Sequence, residues 1–161
     1  MTCTTTAATG SADTAAPAPA RRRRRRFAAL ATLAAVLGLL SAACGIEQQM
    51  SDLTNQARAT YRLPAYQQNM ALYSKASAWS VHMAQAGALS HSNLPDGNPY
   101  AWRRLGENVG YGPDITTVQN ALMNSPGHRA NILDSGFQFF AIGVYDDGRG
   151  RLWVTEEFMQ V

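Results

Sequence analysis

Cysteine is almost absent from this chain. Its 161 residues hold two, Cys3 and Cys44, and none follows position 44. A disulfide framework is therefore excluded for the body of the protein. No His-Glu-x-x-His string occurs, so no helix turn offers two zinc-ligating histidines together. No Gly-x-Ser-x-Gly elbow marks a serine nucleophile, and no internal repeat is visible. Charge is sparse at 16%, and the positive share is concentrated: six of the 14 Lys and Arg form the run 21–26. Downstream of residue 43, eight basic residues stand against ten acidic ones, so the formal +3 becomes −2. Nothing in that balance favours nucleic acid. Only one long apolar run exists, 27–43, at the short end of what spans a bilayer.

What is present begins with the leader. Residues 1–20 are rich in Ala, Thr and Pro and nearly lack large apolar side chains. They cannot build a core and are expected to be disordered. Arg21 to Arg26, the apolar run, and the small residues Ser41, Ala42 and Ala43 follow the layout of a signal peptide. Arg24-Arg25-Arg26-Phe27 also resembles a twin-arginine export signal. Cys44 closes the run and resembles the lipid-modified cysteine of a bacterial lipoprotein. Leu40 lies four positions before it, and Ser41 stands where that signal usually has leucine. Lipidation at Cys44 would hold the protein on a membrane; cleavage after Ala43 alone would release it. Both outcomes place the domain outside the cytoplasm, extracellular or at the cell surface.

Residues 44–49 read as a linker before one domain over 50–161, a length that suits a single modest core. Met50, Leu53, Ala57 and Tyr61 recur at helical spacing, and Pro64 stops that helix. A loop runs to Gln68. Asn69 caps a second helix that carries Leu72, Ala76, Trp79 and Met83 on one stripe and ends at Gly87. His82 lies off that stripe and reads as a surface residue. Residues 88–104 form a loop, and 105–111 a short strand. Asp114 caps a helix from Ile115 to about Asn124. Ser125 and Pro126 read as the cap and first residue of another. Residues 139–145 and 151–158 are strands of a hairpin. This order predicts an α+β domain with helices layered on a mainly antiparallel sheet.

The string Leu105 to Gly112 sets Glu107 and Asn108 in a short apolar run studded with glycine. A carboxylate there loses water and needs a partner to stay ionised. His91 and His128 flank it and are the candidate partners in one cleft. Two neutral imidazoles and a carboxylate are the ligand set of an open zinc site. The same groups can instead form a structural network that ties loops to the sheet. A hydrolase would use Ser125 or Ser92 as nucleophile, His128 as base and Glu107 as its orienter. Asn108 is expected to bond the backbone of a facing loop. Trp79, Trp102 and Trp153 read as core or cleft wall.

Four strings together resemble the CAP superfamily of cysteine-rich secretory, antigen 5 and pathogenesis-related proteins, in its disulfide-free bacterial branch. They are Ser90-His91-Ser92, Gly106-Glu107-Asn108-Val109, Asn124-Ser125-Pro126-Gly127-His128-Arg129-Ala130-Asn131-Ile132-Leu133, and Leu152-Trp153-Val154-Thr155-Glu156-Glu157-Phe158. The resemblance runs from about Met50 to the C-terminus. It implies a three-layer α-β-α sandwich with a small, mainly antiparallel central sheet. It also implies a cleft with two histidines and two acids. His91, Glu107 and His128 take three of those places. The fourth falls on Ser125, so one carboxylate of the tetrad is missing. The expected protein is an exported, monomeric binding module of the cell envelope. Its cleft, with His91, Glu107, Asn108, Ser125 and His128, would hold a lipid, sterol-like molecule, peptide or envelope glycan. No cofactor is required, and zinc or another divalent metal on His91, Glu107 and His128 is the optional one. The alternative is a metal-assisted or Ser/His hydrolase acting on peptides or envelope material.

Overall fold

The structure, a computed structural model, describes residues 45–98 and 101–161. The arginine run, the apolar segment and Cys44 lie outside the described residues. Among those described, no helix is long and apolar enough to cross a membrane.

The first helix, α1, covers residues 45–60. Residues 45–49, set apart as a linker by the sequence, are helical. The physical reason is Ile46, which lies one turn ahead of Met50 and packs on the same core. Glu47 adds a tie: its Oε1 accepts the Val144 N–H at 3.2 Å. The inward face of α1 is centred on Met50, Thr54 and Arg58, all fully buried. Tyr61, the expected last member of the apolar stripe, lies beyond the helix and is exposed.

A two-residue strand, β1 (Gln67–Gln68), follows where a loop was expected. Two glutamines carry no alternation signal; only pairing with a distant strand makes them extended. Helix α2 (Met70–Ala86) starts at Asn69, whose side chain accepts the Ala71 and Leu72 N–H groups. It stops at Gly87 in the left-handed conformation, φ 68°, where glycine carries no Cβ penalty. Then come β2 (Arg104–Gly112), α3 (Ile115–Asn124), α4 (Pro126–Ile132), β3 (Phe139–Asp146) and β4 (Leu152–Gln160).

The sheet order is β1-β3-β4-β2. β1 runs parallel to β3, and the other two pairings are antiparallel. Alternate residues point to opposite faces. On one face Phe140, Ile142, Val154 and Phe158 meet Met50 of α1 and Val118 and Leu122 of α3. On the other, Ala141, Trp153 and Met159 meet Leu72 and Met83 of α2. The result is a three-layer α-β-α sandwich with one edge formed by β2. Close packing of α2 depends on Gly143 of β3, whose carbonyl accepts the Ser80 hydroxyl at 2.9 Å.

Candidate functional site

The register of β2 on β4 decides where the acids go. Glu107 pairs with Glu157, and Asn108 pairs with Glu156. Cross-strand partners share a face. Glu107 and Glu157 therefore look toward the α2 layer, while Asn108 and Glu156 look toward α1, α3 and α4.

On the α2 side, His91 Nδ1 donates to Glu107 Oε1 at 2.6 Å, and the Ser92 N–H donates to the same oxygen at 2.9 Å. Glu107 Oε2 is buried, and no N–H or hydroxyl reaches it. The Glu157 carboxyl lies against that of Glu107, and only when protonated can it donate a hydrogen bond to it. Lys75, the chain's single lysine, closes the cluster from α2. Its Nζ lies 2.8 Å from Glu157 Oε1 and donates to Ser92 Oγ at 2.9 Å and to the Leu94 carbonyl at 3.1 Å. All three of its protons are used. The Glu107 and Glu157 side chains are each 1% exposed, whereas His91 is 61% exposed. The two carboxylates are closed to a solute, and the histidine is the most open member of the cluster.

Burial pushes the Glu157 pKa up to about 7. The Lys75 bond and charge oppose this, and the Glu107 carboxylate adds to it. The folded-state value is thus above the unfolded one. Its contribution to stability is fully present below pH about 4.5 and is lost as pH rises through about 7. His128, pulled below its ordinary value first by burial and then by the His91 charge, works in the opposite sense below pH 6.5. Subtracting a Glu157→Gln profile from wild type isolates the first effect. Urea midpoints from pH 4.5 to 8 are expected to fall more steeply in wild type than in Glu157→Gln. Parallel profiles would show that the Glu157 proton plays no part.

The opposite face carries a second network. Glu156 is fully buried and has no cationic partner. Its Oε1 accepts the Thr54 hydroxyl at 2.7 Å and its Oε2 the Asn108 amide at 2.9 Å. Burial raises its pKa, and these two bonds oppose the rise. Asn108 also donates to the His128 carbonyl at 3.1 Å, and Asn131 donates to Asn108 Oδ1 at 2.9 Å. Asn108 thus bonds the facing backbone, here the first turn of α4.

The expected site residues divide accordingly. Glu107 orients His91, not His128; the hydrolase arrangement with His128 as the oriented base is corrected by that pairing. His91 reaches Glu107 because Ser90 to Ser92 follow α2 over the sheet; His128 is carried by α4, accepts Asn108 at its carbonyl, and has its imidazole near enough to His91 to feel that charge. Ser125 stands at the cap position of α4, but its hydroxyl caps no helix N–H. Pro126 follows it and has no N–H to satisfy. Ser92 Oγ is held by Lys75. Among the described residues, no three His, Cys, Asp or Glu side chains are gathered as a metal-holding group. His91 Nδ1 is engaged with Glu107, which leaves Nε2 as the ring nitrogen open to a ligand. Lys75, Glu156 and Glu157 were not singled out in the sequence. Two adjacent acids in an otherwise apolar strand were the available signal: a strand buried on both faces must satisfy both.

Beside the Lys75 cluster lies a groove of 540 Å³ between α2 and the 92–97 loop. Ala71, Ala78 and Trp79 give it apolar walls, and Ser74, Asn93 and Asp96 add polar groups. Lys75 and Ser92 belong to both the groove wall and the buried network.

The sequence profile of the cysteine-rich secretory protein family, CAP, matches residues 51–158. The uncharacterized protein YkwD of Bacillus subtilis is 29% identical over 128 residues, which is 74% of this chain and 49% of that protein. The chain thus spans about half the length of that relative. An extracellular protein containing an SCP domain from Bacillus anthracis is 28% identical with a TM-score of 0.65; the match covers 73% of this chain and 41% of that one. A cysteine-rich secretory protein from Staphylococcus aureus shares the fold at 20% identity and a TM-score of 0.62, over 73% of this chain and 38% of its own. With the profile spanning the α-β-α sandwich from α1 to β4, the chain belongs to the cysteine-rich secretory protein (CAP) family.

Proposed function

We propose that this is an exported binding module that takes an uncharged amphiphile, with an apolar body and a hydroxyl or amide head, in the groove between α2 and the 92–97 loop. The carrying observation is the 540 Å³ groove, apolar-walled at Ala71, Ala78 and Trp79, set against a polar cluster whose carboxylates are buried. Lys75 has no proton left for an anionic head, and Asp96 disfavours one. Glu107, Glu157 and Lys75 act as a strut. They hold Ser92 and Leu94, and so fix the width of the groove before a ligand enters. Metal is not needed for that role. An exported location agrees with the Bacillus anthracis relative, which is described as extracellular. Attachment to a membrane through lipidated Cys44 belongs to the same reading.

Nile red, an uncharged apolar dye, is expected to brighten saturably with wild type and to be displaced by glycerol monodecanoate. Ala78→Trp, which fills the groove from an exposed helix position, is expected to weaken binding by at least about tenfold. Equal binding by Ala78→Trp would overturn the assignment. The second reading is a hydrolase with His91 as base. It rests on the exposed imidazole held by Glu107 at 2.6 Å. Ester or peptide turnover lost in His91→Ala would establish it in place of the binding module.

A further inference from the structure

α2 ends at Gly87, but the sheet beneath it continues. At that end, Tyr111 of β2, Trp153 of β4 and Tyr145 of β3 lie in one cross-strand row, with Trp153 packed under Met83 of α2 and a tyrosine open on either side of it. Directly paired residues share a face, so all three rings lie on the α2 side. Trp153 is 1% exposed, while Tyr111 and Tyr145 are 48% and 37% exposed. The Tyr111 and Trp153 ring centroids are 4.8 Å apart. The row is about 9–10 Å long from outer strand to outer strand, a span that two linked sugar rings cover.

A 250 Å³ hollow lies at the Tyr145 and Trp153 end of this row, lined also by Gln85, Asp147, Arg149 and Arg151 among others. Its polar groups are of both kinds. Arg149 and Arg151 are donors. The Gly87 and Ala88 N–H groups turn back to the carbonyls of Met83 and Ala84, which leaves those of Gln85 and Ala86 with no helical N–H ahead of them. Asp147 holds the wall in place: its Oδ1 accepts the Arg149 and Arg151 N–H groups, and its Oδ2 accepts the Trp153 indole N–H at 3.3 Å. The Arg151 guanidinium sits 5.6 Å from the Tyr111 ring centroid and 5.7 Å from that of Trp153.

We propose that this aromatic row and hollow are a saccharide-binding site for a chain of uncharged hexoses. Aromatic faces carry negative charge and attract the polarised C–H face of a pyranose ring. Hydroxyls are at once donors and acceptors, and match a rim that offers both. Asp146 and Asp147 offset Arg149 and Arg151, so the rim selects neither anion nor cation. An apolar protein partner is disfavoured by the same polar rim. The site lies at the opposite end of α2 from the Ala71 to Ala78 groove and does not depend on it.

The test is a titration of the full chain with chitotetraose and cellotetraose, followed by the Trp153 indole N–H resonance. A saturable shift is expected with at least one of them. Tyr111→Ala and Tyr145→Ala, at exposed positions, should each weaken it at least about fivefold. Tyr145→Phe keeps the ring and should bind as wild type. Ala78→Trp should also bind as wild type, so failure of the groove reading leaves this site standing. No saturable shift with either saccharide up to about 10 mM, in a chain with a dispersed spectrum, would overturn the proposal. So would wild-type affinity in the Tyr111→Ala, Tyr145→Ala double variant.

Discussion

Replacing Arg58 by alanine is expected to destabilise the protein by about 3–5 kcal/mol, read from urea unfolding midpoints. Arg58 is fully buried. Its Nε donates to the Pro64 carbonyl at 2.8 Å, and one terminal nitrogen donates to the Ile132 and Asp134 carbonyls at 2.7 and 2.8 Å. The guanidinium carbon also lies 3.4 Å from the Tyr66 ring centroid. One side chain thus joins the end of α1, the 64–66 loop and the C-terminal end of α4. Burial pulls its pKa down, yet guanidinium stays charged in proteins, and charge-assisted donors are the strong ones. Alanine removes the donors for all three carbonyls and leaves a hollow. The Tyr66 hydroxyl still serves Asp134 and the Asn131 carbonyl, at 2.8 Å each, but not Pro64 or Ile132. Arg58→Lys keeps the charge and loses the fork, so an intermediate loss is expected. A loss below about 1 kcal/mol for Arg58→Ala would mean that water replaces the guanidinium freely.

Gly143→Ala is the second large effect, at about 3 kcal/mol or more. Its φ is not in the left-handed region, so the requirement is one of space. A Cβ on Gly143 would be driven into the Ala76 carbonyl group and the Ser77 nitrogen, which are backbone atoms of α2. Backbone cannot rotate away as a side chain end can. The helix must lift from β3, and the Ser80 hydroxyl bond to the Gly143 carbonyl and the buried pair Ser80–Thr155, at 2.9 Å, loosen with it. Gly110→Ala is the control: its Cβ would meet Val118 Cγ1 at 3.4 Å, an ordinary contact. A Gly143→Ala chain as stable as Gly110→Ala would contradict the close approach of α2 to the sheet.

The sequence made some of this legible and hid the rest for physical reasons. Local signals were sufficient for α2, α3 and the hairpin, because Asn69, Asp114 and Gly87 act within their own turns. β1 was hidden because two glutamines become a strand only against Phe139 and Phe140. The inward face of α1 was read from Met50, Leu53 and Ala57. Its buried centre instead follows Met50, Thr54 and Arg58, whose polar groups find partners only in the folded chain. Glu107 and His91 were found because a lone acid in a glycine-rich apolar strand needs a partner. Glu157 was not, because the pairing of Glu107 with it is a matter of β2–β4 register, which no local pattern carries.

The most direct test of the groove assignment is to follow the backbone amides of the full chain during a titration with glycerol monodecanoate. Saturable shifts are expected at Ala71, Ser74, Lys75, Ala78 and Gly97, with α4 unmoved. Shifts that centre on His128 and its α4 neighbours, or none in a folded chain, would contradict it.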